Sequence, residues 1–222
     1  PVRFARLDAV DKSYEYYMAP NYKNDFTLEE LCDNFRYFAC SRMHLYYDAK
    51  IIRLMFAGFA SSKLIILQGI SGTGKTSLPY AMGKFFKNDA TIVSVQPSWR
   101  DRSAIFGYFN EFSKKFNETE TLKRVYESSY IDDINIVILD EMNIARVEYY
   151  FAEMLSIMEM PDATEWKIEI VPSSWENDPK HLDNGNLLIP QNVWYVGTAN
   201  NDDSTFSISD KVYDRALTIN ID

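Results

Sequence analysis

Eight residues from Gly69 to Thr76, reading GISGTGKT, fit the pattern G-x-x-x-x-G-K-[ST]. The chemistry open to such a stretch is the capture of a chain of phosphates. Glycines at Gly69, Gly72 and Gly74 let the backbone approach phosphate oxygens closely, with N–H groups turned inward as an anion nest. Ile70, Ser71 and Thr73 complete the loop and Ser77 follows it. Lys75 is then placed to contact the outer phosphates, and Thr76 to offer a hydroxyl to Mg²⁺. A glycine-rich turn without function could carry the same letters, but this one sits between an apolar strand-like run, KLIILQG, and a helix-forming run.

A second constellation is IVILDEMN. An apolar strand ending in Asp140 sets a carboxylate at the carboxyl edge of a sheet, where it can hold the hydration shell of Mg²⁺ beside Thr76. Glu141 follows, and hydrolysis of a phosphoanhydride needs a group that orients and polarises the attacking water. The competing reading of Glu141 is a solvated or helix-capping carboxylate. A third signal is the amide of Asn200 in GTANNDD. In a sheet of order 5-1-4-3-2 it sits between the first and third strands, near the γ-phosphate and the lytic water. A neutral amide touches both without changing the charge of the site. Alone, an Asn after a strand is a turn residue.

These groups work only if the surrounding elements hold them together. TLEELCDNFRYFACSRM opens with Thr27 and Glu30 in capping-box spacing, with Leu28, Leu31, Cys32, Phe35 and Phe38 on one helical face. A second helix, DAKIIRLMFAGFA, leads into the first strand. ATIVSVQ, INIVILDE, NVWYVGTAN and ALTINID read as further strands, TETLKRVYES as a helix, and ARVEYYFAEMLSIME as a helix packed on the sheet. Strand–helix alternation implies a parallel sheet of α/β class. The polar stretch after Pro161 reads as a hairpin or long loop. Residues 1–45 are expected as an N-terminal helical extension and 46–222 as the nucleotide-binding core.

With 222 residues and 46% hydrophobic content, the chain is long enough for one large or two small globular domains. No apolar run nears the roughly 20 residues that cross a bilayer. The opening Pro1 predicts that the chain begins inside a longer product. Cys32 and Cys40, eight residues apart on one helix, are separated by about 12 Å of rise, too far for a disulfide, and reduced thiols point to the cytoplasm. A net charge of −9 argues against a broad phosphate-binding face for DNA, so direct DNA contact is not expected here.

Together, GISGTGKT, VILDEMNIARVEYYFAEML, GTANNDDSTFSISD and KVYDRAL resemble the AAA+ ATPases, and within them the McrB-like and the MoxR- or dynein-related branch. The likeness runs from about Ile51 to Asp222. It implies a three-layer αβα P-loop NTPase with a five-stranded parallel sheet of order 5-1-4-3-2. It also implies hydrolysis of ATP with Mg²⁺ to drive remodelling in a homo-hexameric ring. In the family the acidic pair continues D-E-[IM]-N-R-A; here Ile144 replaces the Arg, and Arg146 stands two positions later. The sensor-1 Asn maps onto Asn200. The arginine finger, which reaches a neighbouring subunit, maps onto Arg215, whose bland alternative is a surface ion pair. The helical lid that follows the fifth strand in the family is not matched, so this stretch alone is expected to be monomeric.

McrB-like proteins hydrolyse GTP and carry M-N-T-A-D-R-S, where this chain reads Ala199 to Thr205 with Ser204 at the Arg position. The departure favours ATP, with GTP the alternative, and Tyr46, Tyr47 and Ile51 are the residues expected beside the base. A nuclease or other effector subunit is the implied partner. WRDRSAIFGYFNEF would face the ring pore or a neighbouring subunit, or be a packed loop. Two rival classes remain: a nucleotide-gated binding module without turnover, and a P-loop kinase, which would dispense with Glu141.

Overall fold

Strands made of unbroken apolar residues can persist only where both faces are covered, and the computed structural model, which describes residues 2–221, shows how this is done. In chain order the elements are α1 (Ala5–Ser13), α2 (Leu28–Met43), α3 (Ala49–Ser61), β1 (Leu64–Gln68), α4 (Ser77–Phe85) and β2 (Thr91–Ser94). They continue with α5 (Ser103–Phe106), β3 (Tyr108–Asn110), β4 (Lys115–Asn117), α6 (Glu120–Ser128), β5 (Asn135–Asp140), α7 (Val147–Tyr150) and α8 (Ala152–Met158). The last are β6 (Lys167–Glu169), β7 (Leu182–Asp183), β8 (Asn186–Leu188), β9 (Val193–Ala199), α9 (Asp210–Tyr213) and β10 (Leu217–Asn220).

Five strands form one parallel sheet in the order β10-β1-β9-β5-β2. Alternate residues serve opposite faces. Leu64 and Ile66 of β1, with Val137 and Leu139 of β5, join one apolar cluster with α1, α6, α7 and α8. Ile65 and Leu67, with Ile136 and Ile138, join a second cluster with α2, α3 and α4. The molecule is therefore an α/β protein with helices on both faces of a parallel sheet.

Three features depart from the sequence reading. Residues 1–45 are not an appendage. Phe4, Leu7 and Val10, on and just before α1, are buried in the first cluster, and Cys32, Phe35 and Ala39 of α2 in the second, so no boundary near 45 divides two cores. Helix α1 itself was not foreseen. Its apolar residues Leu7 and Val10 are too few to give a clear period, and burial against α6 stabilises it instead. The stretch after Pro161 is neither a loop nor a lone hairpin but a three-stranded antiparallel sheet, β6-β8-β7. Its β7–β8 turn is Asn184-Gly185, both at positive φ, which is the favoured two-residue hairpin turn.

The stretch Trp99–Phe112 divides. Ile105 and Phe106 are buried, and Arg102 pairs with Glu153 at 3.0 Å, so its first half is packed. Its second half enters the β3–β4 hairpin, on which Phe112 is fully exposed. Cys32 and Cys40 are free thiols. Among the described residues, no helix is long and apolar enough to cross a membrane.

Candidate functional site

Gln68, Ala199 and Asp140 end β1, β9 and β5 at one edge of the sheet, the edge where ligands of open α/β sheets bind. The loop from Gly69 leaves that edge and closes into α4. Gly69 lies under the end of β10: a Cβ there would stand 2.1 Å from the carbonyl oxygen of Ile221, so no other residue fits. Gly72 and Gly74 have φ of 85° and 84°, a region that side-chain-bearing residues avoid. No hydrogen bond among the described residues takes up the backbone N–H groups of Gly72 to Thr76. Ile70 is 74% exposed and points to solvent, and the Thr73 hydroxyl donates to its carbonyl at 2.8 Å.

Lys75 is buried, and its Nζ donates to the carbonyls of Ile70 at 2.6 Å and Gly69 at 3.2 Å. Burial pushes its ammonium below the ordinary lysine value, while the Asp140 carboxylate works against that push. A cation desolvated in this way is stabilised by any anion brought to the loop.

Thr76 stands at the N-cap of α4, yet its hydroxyl caps nothing in the helix. It donates instead to Asp140 Oδ1 at 2.7 Å. The hydroxyl of Thr198, on β9, donates to the same oxygen at 3.0 Å and accepts from the Glu141 N–H at 2.8 Å. Glu141 is exposed and left-handed, with φ 53° and ψ 50°. This geometry costs a residue with a side chain roughly 1–2 kcal/mol. It turns the chain out of the strand directly after Asp140.

Asn200 follows β9, and its side-chain Oδ1 is buried without a hydrogen-bond partner. Its backbone is clamped by Asn143, which is 3% exposed. The Asn143 amide donates to the Asn200 carbonyl at 2.7 Å and to the Phe206 carbonyl at 3.2 Å, and its oxygen accepts from the Asn200 N–H at 3.3 Å. Arg146, displaced by two positions from the resembled motif, lies with its guanidinium 4.6 Å from the ring centre of Phe206. It thus backs the same loop.

One cleft of about 270 Å³ is lined by Ser71, Gly72, Gly74, Lys75, Thr76, Ser77, Asp140, Glu141, Thr198 and Asn200. Six of the nine phosphate-loop candidates, the acid pair and the amide therefore converge, whereas Gly69, Ile70 and Thr73 do not line the cleft. Arg215 does not join them. It lies two residues before β10, at the amino end of the sheet, where its Nε pairs with Glu159 at 2.6 Å. At about 3.3 Å per residue it sits roughly 20 Å along the strands from the loop, beyond the reach of its own side chain.

The donor set suits a triphosphate and Mg²⁺. The glycine loop offers free N–H groups to phosphate oxygens, the orphaned amide oxygen of Asn200 can accept from a water in the cleft, and Thr76 and Asp140 form a hydroxyl–carboxylate pair of the kind that Mg²⁺ takes together with phosphate oxygens. Among the described residues, no cluster of three His, Cys, Asp or Glu forms an all-protein metal cage. Of the residues expected beside a base, Tyr47 touches the loop: its hydroxyl is 2.6 Å from Ser77 Oγ. Tyr46 is 77% exposed, and with Tyr47 it lines a groove of about 390 Å³ against Asp33, Arg36 and Cys40 of α2.

Sequence reasoning quoted Thr198 and Asn143 within its motifs but gave neither a role. The signal for Asn143 was present, since a polar residue in the otherwise apolar stretch after Glu141 needs partners when buried. Compared with protein-family models and with curated proteins, the sequence matches none.

Proposed function

We propose that this chain is the nucleotide-binding core of an AAA+ NTPase of the McrB-like and MoxR- or dynein-related branch, which binds ATP with Mg²⁺ and hydrolyses it to drive remodelling in a ring assembly. The observation that carries the reading is the linked set Thr76–Asp140–Thr198–Glu141 beside the glycine loop. Counted within the parallel sheet alone, the strands run 5-1-4-3-2, which supports the same reading.

In this mechanism the loop N–H groups and Lys75 hold the outer phosphates, and Thr76 and Asp140 hold the metal. Mg²⁺, when bound, neutralises charge on the phosphate oxygens. Glu141 orients the attacking water and accepts its proton, while Asn200 donates its amide N–H to an equatorial oxygen or the water. Arg215 serves a neighbouring copy, since it cannot reach the cleft of its own chain. For the base, ATP is favoured over GTP. Ser204 stands where the GTP-hydrolysing relatives have Arg, and its hydroxyl is turned onto Asp202 at 2.5 Å.

The test is binding and turnover of Mg-ATP by the protein. Lys75→Ala is expected to abolish binding, and Glu141→Gln to keep binding and remove hydrolysis. Unchanged turnover in the Gln variant would remove Glu141 from the mechanism. A tenfold preference for GTP would overturn the choice of base.

A further inference from the structure

We propose that Thr198 is a positioning residue for both acids of the cleft, its single hydroxyl fixing the Asp140 carboxylate and the Glu141 backbone together. The inference rests on the reading of the cleft as a site of nucleotide hydrolysis. A threonine hydroxyl has one proton and two lone pairs. Here the proton goes to Asp140 Oδ1 at 3.0 Å, and a lone pair receives the Glu141 N–H at 2.8 Å. With Thr76 donating at 2.7 Å, Asp140 Oδ1 receives two hydroxyl protons, which set the plane of the carboxylate.

The backbone bond matters for a separate reason. Successive residues of a strand point to opposite faces, so an acid directly after Asp140 in extended geometry would be carried away from it. The left-handed turn at Glu141 redirects the chain, and it is an unfavourable conformation that surrounding structure must hold. The Thr198 hydroxyl accepts the N–H of that turning residue. Thr198 is 3% exposed, so removing its hydroxyl leaves the Glu141 N–H without a protein partner. Its neighbour Gly197 leaves room for the Met142 side chain over the sheet; a Cβ at Gly197 would meet Met142 Sδ at 2.1 Å. The turn after Glu141 is thus seated on β9 at two adjacent positions.

Thr198→Val keeps the shape and removes the hydroxyl. The loop and Lys75 are untouched, so ground-state binding at saturating Mg²⁺ is retained even if the altered Asp140 raises the Mg²⁺ requirement, while a displacement of the order of 1 Å at a catalytic group costs up to about 100-fold in rate. The experiment measures equilibrium binding of a fluorescent ATP analogue with Mg²⁺, and steady-state hydrolysis, for the wild type, Thr198→Val, Thr198→Ser and Lys75→Ala. Expected are a roughly 10- to 100-fold fall in kcat for the Val variant with its dissociation constant within about twofold of wild type, and recovery of most of the rate in the Ser variant. Turnover of the Val variant within twofold of wild type overturns the proposal. So does a parallel loss of binding and turnover that Ser does not rescue, because that is the signature of a merely structural role. If the wild type neither binds nor hydrolyses nucleotide, the reading of the cleft falls and takes this inference with it; Lys75→Ala separates the two, since it should lose binding whatever Thr198 does. Should Thr198→Val fail to fold, Thr198→Ala removes the same hydroxyl and carries the same expectation.

Discussion

Thr76 and Asp140, 64 residues apart in the chain, are joined by a hydroxyl-to-carboxylate hydrogen bond of 2.7 Å. A threonine at a helix N-cap would ordinarily accept from its own helix. This one turns across the cleft to the end of β5, and the two side chains that suit a divalent cation are set side by side.

Removing that hydroxyl should raise the Mg²⁺ requirement. A hydrogen bond to a charged group is worth about 1.5–3 kcal/mol, which corresponds to a shift of roughly tenfold or more in the Mg²⁺ concentration for half-maximal nucleotide binding. The measurement is a Mg²⁺ titration of Thr76→Val at fixed nucleotide, with Thr76→Ser recovering the wild-type curve. An unshifted curve removes Thr76 from the metal site.

Arg215 should act between subunits. Its partner within the chain is Glu159 at 2.6 Å; the carboxylate is half-exposed and the arginine side chain 22% exposed, and an ion pair with one member open to solvent contributes about 1 kcal/mol. Glu159→Gln should therefore leave the urea midpoint nearly unchanged. In the assembled protein, mixing Arg215→Ala subunits with Lys75→Ala subunits should restore some turnover that neither has alone. No restoration at any ratio argues against a shared site.

Arg3 should matter to stability and not to the cleft. It pairs with Asp178 at 2.7 Å, both side chains nearly buried, and its guanidinium lies 4.1 Å from the ring centre of Trp175. Burial opposes charge on Asp178, yet the hydrogen bonds from Arg3 and from the Trp175 N–H hold its carboxyl below the usual value. Arg3→Ala leaves that carboxylate buried without its cation, at a cost of about 3–5 kcal/mol in urea unfolding. Nucleotide affinity should not change.

His181 should make the fold sensitive to acid. Burial lowers its pKa below 6.5, Lys180 acts in the same direction, and Asp11 opposes them. Its ring stacks on Tyr130 at 4.0 Å, and its Nδ1 is 2.6 Å from Ser129 Oγ. Between the lowered value and 6.5 the unfolded chain binds more protons than the folded one, so stability rises with pH in that window. The contribution is complete above 6.5 and is lost as pH falls below it. Unfolding free energies at pH 7.5 and 5.5 should differ less in His181→Asn than in wild type.

The sequence alone determined what is local. Unbroken apolar runs bounded by turn residues announce strands covered on both faces, and their alternation with helices announces a parallel sheet, because period and turn chemistry are properties of a few neighbouring residues. The same locality made the loop that contributes Ser71, Gly72, Gly74, Lys75 and Thr76 legible as a neighbour of Asp140 in one cleft, since each follows or ends a strand. Only the tertiary structure decided the rest. Thr198 and Asn143 acquire their partners because β9 lies between β1 and β5, which brings residues 57 positions apart within hydrogen-bond distance. Helix α1 carries too weak a period to be read, and becomes a helix because its few apolar residues meet α6. Arg215 and Glu159 meet for the same non-local reason. A side chain's type states which bonds it can make, whereas the packing of distant strands and helices decides which of them it does make.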